Sequence, residues 1–104
     1  MGNLSAAKED FDRVFKLDDS DETRDYIATE MGDIGQRAFE YGTSLQTEGK
    51  EQESISYKRF AIGALMIAYR THEVRRDLAR QLSLVARDIG DIETADQYAA
   101  LASE

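Results

Sequence analysis

Few side chains here could carry out chemistry, and their spacing limits what they could do together. His72 is the only histidine and there is no cysteine, which excludes thiolate nucleophiles, thiolate metal centres and disulfides. General acid–base work needs a second titratable group within reach. His72 stands between Thr71 and Glu73 at an expected helix start, where a turn residue faces water. The carboxylates Glu9, Asp10 and Asp12 and those between Asp18 and Asp25 fall on polar faces and turns. A carboxylate metal centre in a helical protein needs a Glu-x-x-His pair directed inward, and the sequence holds none. Gly32 and Gly35 lack the Lys-Ser/Thr that follows a phosphate-binding loop. These residues predict no enzyme, no cofactor and no metal.

The arginines are the stronger lead. Net charge is −8, yet from Ser54 to Arg87 seven basic residues stand against only Glu73 and Asp77, a local balance of +5 with −13 on the flanks. Arg76, Arg80 and Arg87 recur at helical spacing on a stripe away from Leu78, Leu82 and Val85. A guanidinium is a planar fork that pairs directionally with carboxylates. Such a stripe could dock an acidic protein segment. Leu84 lies among these arginines rather than with its helix's apolar side, which makes it a candidate apolar contact.

These side chains must be positioned by helices. With 104 residues and no proline, the chain predicts a single all-α domain, residues 1–104, of about five helices in antiparallel hairpins. Leu4 to Leu17 reads as an amphipathic helix with Leu4, Ala7, Phe11, Val14 and Phe15 on one side. Asp19 and Glu22 form a capping-box-like start to the next segment. From Asp21 to Glu48, Ile27, Met31, Ile34, Ala38, Tyr41 and Leu45 make an unbroken helical seam that Gly32 and Gly35 interrupt, predicting one helix kinked near Gly32 rather than two. Gly49 closes it, and Glu51 to Arg70 follows as a helix with Ile55 on its apolar side and apolar residues nearly all round at 61–69. Thr71 is placed to cap a helix over Glu73 to Asp88. Gly90-Asp91 then turns into a last helix carrying Ile92, Ala95, Tyr98, Ala99 and Ala102. Aromatic residues are expected to pack, with Tyr26 left exposed.

Leu82, Ser83, Ala86, Gly90-Asp91, Ala95 and Ala102 resemble the small and apolar positions of a tetratricopeptide repeat. Tyr41-Gly42, Leu45, Gly49, Ser54 and Ala61 resemble a second such unit, and Ala7, Phe11 and Val14 with Lys16-Leu17-Asp18 a partial one. Gly49 and Gly90 are 41 residues apart, against a family period of about 34, and the repeat-closing proline is missing. The resemblance implies stacked helical hairpins that act as a protein-binding scaffold. It further implies that Phe39, Thr43 and Gln46 line a concave groove together with Arg80, Leu84 and Arg87. The paired lysine and asparagine with which some family members hold a peptide C-terminus are absent.

The function expected is therefore a non-enzymatic adaptor that binds a protein segment through Arg76, Arg80, Leu84, Arg87, Phe39, Thr43 and Gln46. Two other readings use the same charge pattern. One is self-association into a homo-oligomer, acidic segments against the basic centre of a second copy; the other is an acidic decoy for a nucleic-acid-binding protein, carried by Asp10, Asp12, Asp18, Asp19, Asp21 and Asp25. Direct nucleic-acid binding is disfavoured by the net charge. The longest apolar stretch, Phe60 to Tyr69, is about half of what a bilayer span needs. Lys8, Glu9 and Asp10 interrupt any signal-peptide pattern, and Ala6 stands where a myristoylation motif needs Ser or Thr. A soluble, cytoplasmic protein is expected.

Overall fold

The computed structural model describes residues 20–103, and Ser20 is the first of these. Its extended backbone and hydroxyl cap the first described helix, accepting from the Thr23 amide at 3.2 Å. The cap is thus one residue beyond the expected Asp19, which lies outside the described residues, as does the helix expected over Leu4–Leu17. The described residues form four α-helices: α1 Asp21–Thr47, α2 Glu51–Thr71, α3 Arg76–Asp88 and α4 Ile92–Ala102. The all-α expectation holds, and among the described residues no strand appears.

Glycines at φ +84° (Gly49) and +81° (Gly90) end α1 and α3. Only glycine adopts this left-handed geometry without a Cβ clash. Lys50 donates back to Leu45 and Asp91 to Ala86, closing orphan carbonyls, and the Asp91 carboxylate caps α4 by accepting from Thr94. Each turn folds its helices antiparallel. In the first hairpin Gly42 meets Ser54 and Gly35 meets Leu65; in the second Ser83 meets Ala95. A buried serine hydroxyl joins each pair, Ser54 donating to the Gly42 carbonyl at 2.6 Å and Ser83 to the Ala95 carbonyl at 2.7 Å.

Gly32 and Gly35 do not divide α1, which runs uninterrupted as one helix. Both are buried contact points. A methyl at Gly32 would lie 2.9 Å from Leu78 Cδ2, and one at Gly35 2.9 Å from Leu65 Cγ and 3.2 Å from the Ala61 carbonyl. Ile27, Met31, Ala61, Leu65, Ala68, Leu78, Leu82, Val85, Ala86, Ala95 and Tyr98 close the core, with Tyr69 edge-on to Tyr98. As expected, α2 is contacted on two sides. Asp25 and Thr29 meet Arg75, Gly32 meets Leu78 and Gln36 meets Gln81, so α1 and α3 run side by side in the same direction. Both glycine turns therefore lie at one end of the molecule.

Several expectations need correction. Thr71 does not cap the fourth segment; it ends α2, donating to the Ile67 carbonyl, and α3 begins at Arg76 rather than Glu73. His72 is the C-terminal cap of α2, its amide donating to the Tyr69 carbonyl, and not the start of a helix. Tyr41, Ile55 and Ile92 are exposed rather than core. Tyr41 sits at the edge of the seam, its ring edge-on to Tyr57 at 4.6 Å, while Ile55 is the fifth residue of α2 and Ile92 the first of α4, both near the glycine turns. Tyr26 is exposed as expected.

The glycine contacts give a comparative prediction. At Gly35 an added methyl meets the branch carbon of a fully buried leucine and a backbone carbonyl, neither of which can swing away. Overpacking there outweighs the roughly 1 kcal/mol helix-propensity gain. Gly35→Ala should lower stability to urea by about 1–2 kcal/mol. Gly32→Ala, meeting only the far end of Leu78, should stay near neutral, and equal effects at the two sites would contradict this packing.

Candidate functional site

Helix α3 carries Arg76, Arg80, Leu84 and Arg87 on its solvent side, and all four are exposed. The α3 core positions Leu78, Leu82 and Val85 fix its rotation, and at 3.6 residues per turn the three arginines fall within roughly 40° of one another. Leu84 is 62% exposed and lies beside Arg80 on the flank nearer α1. Arg76 and Arg80 have no ion-pair partner among the described residues, and Arg87 reaches Asp96 of α4 at 3.5 Å, both side chains exposed. An ion pair in that setting contributes little.

Phe39, Thr43 and Gln46 lie on the flank of α1 that faces α3, the flank marked by Gly32 and Gln36. Phe39 is half-buried, with the Lys58 ammonium 5.5 Å from its ring centroid. Thr43 donates to the Phe39 carbonyl, and Gln46 accepts from Lys58 at 2.7 Å. At 3.6 residues per turn Leu84 stands nearest the α1 side of the α3 stripe, with Arg80 next to it. The α3 members of the expected site are thus exposed, as are Thr43 and Gln46 on α1, whereas Phe39 is half-buried and Gln46 Oε1 is already engaged by Lys58.

Two charged clusters not anticipated from sequence fix the α1–α3 groove. At the turn end, Lys58 is only 3% exposed although it belongs to the basic run. Its ammonium donates to Asp88 Oδ2 at 2.6 Å and Gln46 Oε1 at 2.7 Å, so one buried cation ties α2 to α1 and α3. At the opposite end Arg75 forms a two-point fork with Asp77, Nε to Oδ1 and Nη2 to Oδ2, each 3.0 Å. Its Nη1 donates to Asp25 at 2.8 Å and to Thr29 Oγ1 at 2.9 Å. Between them, Gln81 donates to Gln36. Two shallow cavities follow this arrangement: one of about 180 Å³ along the α1–α3 groove near Gln36 and Arg75, and one of about 170 Å³ at the turn end beside Lys58.

The hydrogen bonds from Arg75 hold the Asp77 carboxyl below its ordinary range. A carboxylate whose pKa is depressed in the fold contributes stability above its unfolded value, and that contribution is lost as pH falls through the lower folded value. Because Asp77 is exposed, the contribution is small. Among the described residues, no three histidine or carboxylate side chains converge as a metal site would require. No helix of the described chain is long and apolar enough to cross a membrane.

Lys58 yields the sharper prediction. Removing its counter-ion leaves a charge in the interior, whereas removing the lysine leaves a carboxylate that water already reaches on one side. Asp88→Ala should therefore cost about 2 kcal/mol, below the range for a wholly buried pair. Lys58→Met, similar in length and uncharged, should cost less than about 1 kcal/mol. Urea unfolding of the two variants tests the order, and a costlier lysine substitution would refute it.

No protein-family model, curated protein or solved structure matches this chain.

Proposed function

We propose that this chain is a non-enzymatic protein-binding module whose α3 face, with the adjoining α1–α3 groove, receives an acidic segment of another protein. The observation that carries the reading is Leu84. A leucine 62% exposed, with Arg80 one turn before it and Arg87 three residues after it, combines an apolar anchor with two orienting charges. Covering its exposed part removes apolar area from water, a gain of the order of 1 kcal/mol. Arg76 and Arg80, free of ion pairs among the described residues, can give their forks to carboxylates without first breaking an internal contact. Charges at the rim act mainly on encounter rate and register.

The pairing of hairpins, with α1 and α3 alongside in the same direction, supports the tetratricopeptide-like reading, in which such helices line the binding face. Phe39, Thr43 and Gln46 then act as the groove's structural wall more than as free contacts. Thr43 Oγ1 donates to the Phe39 carbonyl, Gln46 Oε1 accepts from Lys58, and the same ammonium lies over the Phe39 ring.

Selection from a random displayed-peptide library tests the proposal directly, since such a library samples acidic, basic and apolar segments alike. Recovered sequences should combine two or more Asp or Glu residues with one large apolar residue. Arg80→Glu with Arg87→Glu should weaken the best peptide at least tenfold and leave the urea midpoint within error, because both arginines are exposed. Undiminished binding by that variant, or a consensus without acidic residues, would overturn the reading.

A further inference from the structure

The cavity at the glycine-turn end is distinct from the α3 arginine face, since none of Arg76, Arg80 and Arg87 lines it, although its Asp88 follows Arg87 directly. Gln46, Glu51, Ser54, Ile55, Lys58, Asp88 and Ile89 line it, and its volume is about 170 Å³. Engineered cavities of about 150 Å³ hold a benzene-sized molecule, so the space suits a single long side chain. Its walls differ in character: Ile55 and Ile89 are apolar, and Glu51 and Asp88 are exposed carboxylates.

The Lys58 hydrogen bonds decide which charge it accepts. Of the three ammonium protons, Asp88 and Gln46 take two, and the group also sits over the Phe39 ring. The buried cation is thus neutralised from within and offers little to an incoming anion. Glu51 has no ion-pair partner among the described residues, and Asp88 engages Lys58 through Oδ2 alone, so Oδ1 remains available. The cavity carries a net negative charge. An anion would meet repulsion from two carboxylates, and a purely apolar visitor would cover them without giving them a partner.

We propose that this cavity receives a lysine or arginine side chain of a protein partner. The aliphatic stem lies against Ile55 and Ile89, as long cationic side chains bury their methylenes while keeping the head group solvated. The cationic head meets Glu51 and the free oxygen of Asp88. The excess negative charge of the whole chain raises the local concentration of such a cation. This site goes beyond the α3 reading and shares with it only that the visitor is a protein.

Methyl NMR of the full chain tests it, following Ile55 and Ile89 during titration with N-acetyl-lysine methylamide and N-acetyl-arginine methylamide. The norleucine and glutamate counterparts serve as neutral and anionic controls. Both cations should move the two methyls saturably, with the norleucine compound at least several-fold weaker and the glutamate compound without effect. Glu51→Gln, at an exposed position, should weaken the cations by roughly threefold, the effect of one partly solvated ion pair. Arg80→Glu should leave the titration unchanged, which separates this site from the α3 face. Equal response to norleucine or glutamate, no response to either cation, or an unaltered affinity in Glu51→Gln would each overturn the proposal.

Discussion

A lysine ammonium sealed from solvent must find anionic and polar partners, and in this fold Lys58 finds them on two different helices. Taking a charge from water costs several kcal/mol, recovered only through short, well-directed contacts. Asp88 comes from the second hairpin, and Gln46 and Phe39 come from α1. Satisfying the one group therefore sets how the second hairpin lies along the first. The apolar core tolerates small slides, but directed contacts converging on one nitrogen do not. With the turn end fixed, Arg75 and its partners define the other end of the same seam.

Close packing makes that arrangement reachable. Ser54 and Lys58 approach α1 where Gly42 offers no side chain, and an added methyl there would stand 3.0 Å from both Lys58 Cγ and the Ser54 carbonyl. The second hairpin uses alanines for the same purpose, with Ala79, Ala86 and Ala95 wholly buried. Small residues bring the backbones near enough for Ser54 and Ser83 to donate across each hairpin. Local propensity is given up at the mid-helix glycines so that tertiary contact can be gained. Among the described residues, the tight hairpins leave nothing packed on the outer side of α3, where Leu84 and its neighbouring arginines are exposed.

Much of this architecture is legible in the sequence. Gly49 and Gly90-Asp91 announce the two turns because their chemistry is local: a left-handed residue and an aspartate cap. The seam through Ile27, Met31, Ala38 and Leu45 outweighs the glycine signal and correctly indicates one helix. Periodicity fails where exposure depends on a neighbour beyond the helix itself, as for Tyr41, Ile55 and Ile92. The link between α2 and α3 is ambiguous in sequence because Thr71 can bond backwards to Ile67 as readily as forwards to a new helix. Arg80, Leu84 and Arg87 are identifiable as an outward stripe from helix geometry alone. Lys58 is not, although Ser54, Lys58, Ala61, Leu65 and Ala68 follow a helical seam; residue type argues for the surface, and only its place in the seam argues for burial.

The disposition of charge also bears on what such a molecule can select. Of the seven basic residues between Ser54 and Arg87, Lys58 and Arg75 are consumed in holding the helices together, and Arg87 leans towards Asp96. The excess of positive charge inferred from the sequence is therefore smaller at the surface than a count suggests, and it is shared between Arg59 and Arg70 of α2 and Arg76 and Arg80 of α3. Beyond about 10 Å, in ordinary salt, these fields are largely screened. At contact the α3 face rewards carboxylates, while the cavity beside Asp88 rewards a cation. Because Arg87 and Asp88 are consecutive, the two preferences adjoin at the end of α3. A segment bearing only one sign would satisfy one of them and be repelled near the other, so the arrangement discriminates by charge order along the visitor more than by its net charge.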